Sequence, residues 1–398
     1  MAGPTLAPSR ADQRARVAVA ALFFTNGALF ANLLPRYPEI KTALQLDNSA
    51  YGLSVAAFPA GAIVAGLAAG VLVRRMGSAR VAAFGTILTG LGALVAGISP
   101  APVLFAAALF VAGAMDALTD VGQNAHGLRV QRRYGRSIIN SFHAVWSIGA
   151  VTGGSMAAGA IALGLPLGVH LSISTVLFAA VALIALRFCL PGRDTDPADG
   201  TADPTEAATA GRRVPIRLWL MIVAFVLIAI AGTTVEDAGN SWATLYLGSL
   251  SAPAAVATSG FVALVGAQFV GRLLGDRLVD RFGQRAVART GGLIVAVGMG
   301  AALALPSVPG AILGFAAAGF GVATLVPAAM HEADELPGLK PGTGLTLVSW
   351  LMRIGFLASP PVVGAIADAT SLRIGLLVVP IAGIVVILLA GVLQPRRD

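Results

Sequence analysis

Apolar runs long enough to cross a bilayer, separated by short polar breaks, recur along the whole chain. They fall at residues 17–35, 50–73, 81–98, 102–130, 138–163, 166–190, 217–247, 254–278, 288–305, 309–331, 343–367 and 373–393. Inside lipid a lone segment can satisfy all of its backbone polar groups only as a helix. The pattern therefore predicts an all-α polytopic membrane protein with twelve transmembrane helices, and an even number of spans puts both termini on one side. The break between runs six and seven is of another kind. From Pro191 to Pro215 the chain is rich in Pro, Asp, Thr, Ala and Gly and has no apolar period, which reads as a tether. It divides the chain into an N-terminal six-helix bundle (1–190), a linker (191–215) and a C-terminal six-helix bundle (216–398).

Arginine and lysine set the orientation. With the termini inside, Arg10, Arg14, Arg16, Arg74, Arg75, Arg80, Arg129, Arg132, Arg133 and Arg136 fall on the cytoplasmic side of the first half. Arg193, Arg212, Arg213, Arg277, Arg281, Arg285, Arg289, Lys340, Arg396 and Arg397 do so in the linker and second half, whereas the outer loops hold only Arg36, Lys41 and Arg373. This asymmetry predicts a multi-pass protein of the cell inner (plasma) membrane with both termini cytoplasmic. Composition agrees: 57% of residues are hydrophobic and 12% charged, where a soluble chain has about a quarter charged. The net charge of +8 sits in short loops rather than on one patch, which argues against a nucleic-acid partner. The lone Cys189 excludes an intrachain disulfide and a cysteine-based metal site.

Polar groups inside the apolar runs are the candidates for chemistry. Asp116, Asp120 and Asn124 follow one another at four-residue spacing, on one face of span four. About ten residues of 1.5 Å rise place Asp120 roughly 15 Å from the inner end, near mid-bilayer. An intramembrane carboxyl exchanges its proton according to whether its surroundings are dry or wet, so Asp120 and Asp116 are candidates for proton coupling. The alternative is an acid that only fixes helix packing. Span five opens with Asn140, Ser141, Phe142, His143 and Trp146, whose His and Trp could relay protons and stack on a flat solute or form a packed core pair.

In the second half, Glu236, Asp237, Asn240 and Trp242 cluster late in span seven. Counting residues places them near the outer surface, as a gate or a ligand contact. Gln268 in span eight reads as a ligand contact or an interhelix hydrogen bond. Arg353 stands inside span eleven at the depth of Asp120, with Trp350 three residues before it on the same face. A lone intramembrane Arg needs a partner or a water-filled cavity: Asp120, Asp116 or an anionic solute would serve, and snorkelling to the cytoplasm is the alternative. Gly66 with Gly70, Gly149 with Gly153 and Gly310 with Gly314 have the spacing of close helix contacts.

The two halves echo each other. Gly70-Val-Leu-Val-Arg-Arg-Met-Gly-Ser-Ala-Arg80 follows span two, and Asp276-Arg-Leu-Val-Asp-Arg-Phe-Gly-Gln-Arg285 follows span eight, the corresponding place. These loops resemble the Gly-x-Leu-x-Asp-Arg-x-Gly-Arg motif of the major facilitator superfamily. Arg74 takes the usual Asp position in the first copy, and the second keeps Asp280, Arg281 and Gly283 with Asp276 in place of the leading Gly. The resemblance implies two pseudo-symmetric bundles rocking about a midplane site, with Arg74, Arg75, Arg80, Asp280, Arg281 and Arg285 at the inner gate.

Asp120-x-x-x-Asn124 followed by Asn140-Ser141-Phe142 is similar to the fucose:proton symporter branch. That resemblance implies that Asp120 carries the proton and Asn140 binds solute. The branch also has an acid in span one, where this chain has Asn26 and Asn32. The family's antiporters carry an Arg in span four and a Gly-Pro pair in span five. Here no Arg precedes Arg129 in span four, and Ala150 follows Gly149.

The function expected is that of a secondary active transporter moving a small solute by alternating access, as proton-coupled symport of a sugar or similar polar metabolite. The substrate ligands expected are Asn26, Asn124, Asn140, His143, Trp146, Gln268, Trp350 and Arg353. A proton-coupled exporter of a drug or metabolite and a non-transporting membrane sensor are the competing readings. No cofactor or metal is expected, since His331-Glu332 lacks the second His of a zinc helix and no phosphate loop is present. No catalytic constellation is visible, so an enzyme is not expected. The expected partners are the solute, protons and the lipid bilayer, and the expected state is a monomer.

Overall fold

Each of the twelve apolar runs is helical in the structure, a computed structural model that describes residues 9–134, 138–192, 216–336 and 343–394. The side chains of Asn140, Arg217 and Asp276 lie outside the described set, as do Arg136, Arg193, Arg212, Arg213, Lys340, Arg396, Arg397 and most of the predicted linker. In the first half the helices are α1 (Arg10–Ala43), α2 (Asn48–Met76), α3 (Ser78–Gly97), α4 (Pro102–Tyr134), α5 (Ile139–Ala162) and α6 (Leu167–Phe188). In the second they are α7 (Ile216–Ser249), α8 (Ser259–Phe282), α9 (Gln284–Ala304), α10 (Val308–Asp334), α11 (Thr343–Ala369) and α12 (Leu372–Val392).

The burial pattern is that of a membrane protein. Large apolar side chains such as Leu67, Val103, Leu313 and Leu388 cover the outside, while Asn26, Asn32, Gln123, His126, His170 and Gln268 are buried. A polar group inside needs a partner, and the buried histidines show how it is supplied. His170 Nε2 lies 2.7 Å from Asn32 Oδ1. His126 accepts from the Leu190 amide at Nε2 (3.1 Å), so its Nδ1, 2.8 Å from Ser78 Oγ, is the donor of a neutral ring.

The halves repeat one packing scheme. In the first, α1 packs on α5 and α6, α4 on α2 and α3, and α3 on α6; in the second, α7 packs on α11 and α12, α10 on α8 and α9, and α9 on α12. The repeated loops follow suit. Gly77 (φ 89°) and Gly283 (φ 79°) end α2 and α8 in a conformation that favours glycine. Close approach of α1 and α5 depends on small residues: a Cβ on Gly27 would strike the Trp146 carbonyl, one on Gly149 that of Phe24, and one on Gly153 that of Ala28. Gly66, by contrast, faces open space, so its spacing with Gly70 marks no helix contact.

The halves meet mainly through α2 against α11 and α5 against α8. The α2–α11 contacts lie at the end remote from the arginine-rich loops. Tyr51 of α2 donates to the Ser241 carbonyl of α7 (2.6 Å) and packs edge-on against Trp242, with centroids 4.9 Å apart. Gly52 abuts Pro360, and Gly364 abuts the Asn48 carbonyl. Asp368 of α11 accepts from the amides of Asn48 (3.0 Å) and Ser49 (2.7 Å) and from both their side chains. Toward the arginine-rich end the inner part of α11, Thr343–Leu351, packs on α7 and α10 of its own half. Among the described residues the halves are sealed at one end and parted at the other, where Asp120, deep in α4, is exposed.

Candidate functional site

Between the halves, beneath the seal, lies a cavity of about 240 Å³. Its first-half wall is built on the α1–α5 glycine seam. With Gly27 against Trp146, the Trp146 indole donates to Asn26 Oδ1 (2.7 Å), and Asn26 Nδ2 donates to Asp116 Oδ1 (2.6 Å). Trp146, Asn26 and Asp116 thus form one bonded row across α5, α1 and α4, and all three line the cavity.

Asp120 lies one turn nearer the arginine-rich end, outside the lining. It is solvent-exposed although deep in the helix, which places it at the floor of the parted cleft. Asn124 donates to its Oδ1 (2.9 Å), and His143 and Arg353 stand within electrostatic range of it. Asn124 itself points to the exposed side as a partner of Asp120 and does not line the cavity. His143 sits edge-on to Phe23, with centroids 5.2 Å apart, and faces the cleft below the cavity. The side chain of Asn140 is outside the described residues.

Across the cleft, Arg353 lines the cavity, and among the described residues it has no ion-pair partner within 4.0 Å. It begins the second segment of a broken helix, because α11 is interrupted at Met352, whose carbonyl accepts from the Thr233 hydroxyl (2.9 Å). The placement of Trp350 is corrected too. Three residues turn a helix by about 300°, which leaves Trp350 about 60° around the axis from Arg353, and it is 55% exposed and away from the cavity.

Glu236 and Asp237 are also displaced from their expected place near the outer surface. They line the cavity below the Tyr51–Trp242 seal, with Glu236 accepting from Gln268 Nε2 (2.9 Å). Counting from the inner end misplaces them because α7 is 34 residues long, about 51 Å at 1.5 Å per residue, and overshoots the bilayer.

The residues expected at the inner gate stand apart. Arg74, Arg75, Arg80, Asp280 and Arg281 are exposed, and Arg285 is held by the Leu393 carbonyl (3.0 Å) of its own half. Three residues that sequence reasoning misses belong to this region. Tyr37 and Ser241 line the cavity, and Arg272 of α8 acts electrostatically on His143. Arg272 stands inside an apolar run just as Arg353 does, so the criterion that picks one picks both. Tyr37 follows the Pro35 turn, beyond the predicted end of span one, and carries no such signal.

With this geometry in hand, likeness to known proteins is informative. The sequence pattern of the Major Facilitator Superfamily matches residues 19–278. The membrane protein MosC of Rhizobium meliloti is 29% identical over 370 residues, 93% of this chain and 88% of that one. A D-xylose-proton symporter superposes with a TM-score of 0.74 at 17% identity, over 95% of this chain and 96% of that chain. The superfamily transporter FucP, in its outward conformation, gives 0.58 at 18% identity over 96% and 99%. The chain belongs to the Major Facilitator Superfamily, as a membrane transporter with twelve spans.

Proposed function

We propose that this transporter is a proton-coupled symporter of a small polar solute, held in the central cavity and exposed alternately to the two sides of the plasma membrane. One observation carries the reading: two neighbouring carboxyl groups, Asp116 in the cavity and Asp120 in the cleft, face a guanidinium on the opposite half, Arg353, that has no ion-pair partner among the described residues. The halves are residues 1–190 and 216–398, joined by a cytoplasmic linker. The parted end is the cytoplasmic one, an inward-open state. Supporting this, among the described residues the end where the halves separate carries Arg74, Arg75, Arg80, Arg129, Arg132, Arg133, Arg277 and Arg281, and the sealed end only Arg36, Lys41 and Arg373.

The coupling follows from electrostatics in a region of low dielectric. An ionised Asp120 attracts Arg353, and the two can meet only if α4 and α11 approach and the cleft closes at the cytoplasmic end. A proton on Asp120 removes that attraction and leaves the cleft parted. Asn26, Trp146 and Gln268 supply solute contacts, with Asp116 linking them to the proton site. Symport of a polar solute is in keeping with the xylose–proton symporter that shares the fold.

The test is accumulation in proteoliposomes under an imposed pH gradient, with solutes taken from an uptake screen. Asp120→Asn is expected to lose gradient-driven accumulation while keeping solute exchange. Accumulation at the wild-type rate from the variant overturns the proton role.

A further inference from the structure

The two ends of the cavity differ in charge. Asp116, Glu236 and Asp237 line it against one guanidinium. Arg353 acts on Asp120, toward the parted end. At the sealed end Asp237 neighbours Glu236 and the Ser241 hydroxyl (3.5 Å), and no described Lys or Arg other than Arg353 lines the cavity.

This acidic corner is also short of donors. Asp237 is 7% exposed, and its Oδ2 has no hydrogen-bond partner among the described residues. Within the same set the protein donor to Glu236 is Gln268, on Oε2, which leaves Oε1 open. Tyr37 is 1% exposed, lines the same corner within the field of Asp237, and its hydroxyl is unpaired among the described residues. Buried polar atoms left without partners are costly, most of all where charge is involved, so a site of this kind calls for an occupant. An ammonium group fits it: three N–H donors and a positive charge, offered to two carboxylates and a phenol oxygen. The remaining walls suit the rest of such a molecule, since Phe30 and Phe58 (centroids 4.5 Å apart) and Trp146 give a flat apolar surface that also favours cations.

We propose that the solute is a compact organic amine, its ammonium seated among Glu236, Asp237 and Tyr37 and its body against Trp146. The inference rests on the transport reading for the cavity's use and narrows the polar solute to a cationic one. It also gives the acids separate roles, with Asp120 and Asp116 on the first half serving the proton and Glu236 and Asp237 on the second serving the solute.

The test is binding to the purified full-length protein, read by thermal unfolding and calorimetry, with amines and their hydroxyl counterparts. The pairs are glucosamine and glucose, putrescine and 1,4-butanediol, and phenethylamine and 2-phenylethanol. The amine of at least one pair is expected to bind at least tenfold more tightly than its alcohol. Glu236→Gln and Asp237→Asn should each remove that preference, and Tyr37→Phe should weaken it several-fold. Should Asp237→Asn fail to fold, Glu236→Gln alone decides. Equal binding of amine and alcohol, no shift with any amine, or a preference that survives Glu236→Gln overturns the assignment. Because binding needs no gradient, failure here leaves the proton role of Asp120 to its own assay, and failure there leaves this result readable.

Discussion

Removing Asp368 should loosen the sealed end by an amount that can be worked out. Its carboxylate, on α11, takes four hydrogen bonds from the first turn of α2: two amides at 3.0 and 2.7 Å, Asn48 Nδ2 at 2.8 Å and Ser49 Oγ at 2.5 Å. The negative charge also faces the positive end of the α2 dipole. In full burial each bond to a charged group would be worth about 1.5–3 kcal/mol, but the site is exposed. At about 0.5 kcal/mol per exposed bond the four sum to about 2 kcal/mol, and solvent screening brings the net nearer 1 kcal/mol. Because the bonds run between halves, that energy favours the sealed arrangement over the one in which α2 and α11 part. Asp368→Ala should therefore raise the ratio of opened to sealed molecules by a factor of about 5 for a loss of about 1 kcal/mol. The readout is the distance distribution between spin labels at Thr42 and Thr370, both exposed, one on each half, with Cys189 replaced. A longer-distance population should appear in Asp368→Ala and in smaller amount in Asp368→Asn. A distribution unchanged from the parent protein would show that the apolar contacts of Gly52 and Gly364 hold the seal without Asp368.

Two further predictions concern the first half. Gly153→Ala should destabilise the purified protein by about 1–3 kcal/mol, since the new Cβ meets the Ala28 carbonyl, whereas Gly66→Ala, facing open space, should be neutral or gain up to about 1 kcal/mol; equal melting temperatures for the two would refute the glycine-seam reading. Asn26→Ala leaves the Trp146 indole and Asp116 without their shared partner and should weaken solute binding by about 1–3 kcal/mol, a change that titration calorimetry would detect or exclude.

The twelve spans are legible in the sequence because lipid imposes one rule on every segment, and an apolar run of sufficient length has one solution. The polar interior is legible only in part. Asp116 and Asp120 share a face because four-residue spacing dictates it. Trp146 reaches Asn26 because three glycines let α1 and α5 touch, which is a property of two helices and not of either alone. The two misplacements have local causes. Trp350, three residues before Arg353, lies about 60° around the helix axis from it, enough to turn it out of the cavity. Glu236 and Asp237 are placed by counting along a helix that overshoots the membrane. Single intramembrane charges can be picked out one at a time, but their grouping depends on which halves face each other. Asp120 and Arg353 belong to opposite halves, as do Tyr37 and Asp237, so each pair changes its separation whenever the bundles rock. A transporter needs groups of this kind, whose interaction differs between states, because a ligand shifts a conformational equilibrium only by its difference in affinity for the two forms. A proton at Asp120 and an amine at Asp237 would each act on such a pair, at opposite ends of one cavity, which lets two small charges govern one movement without touching.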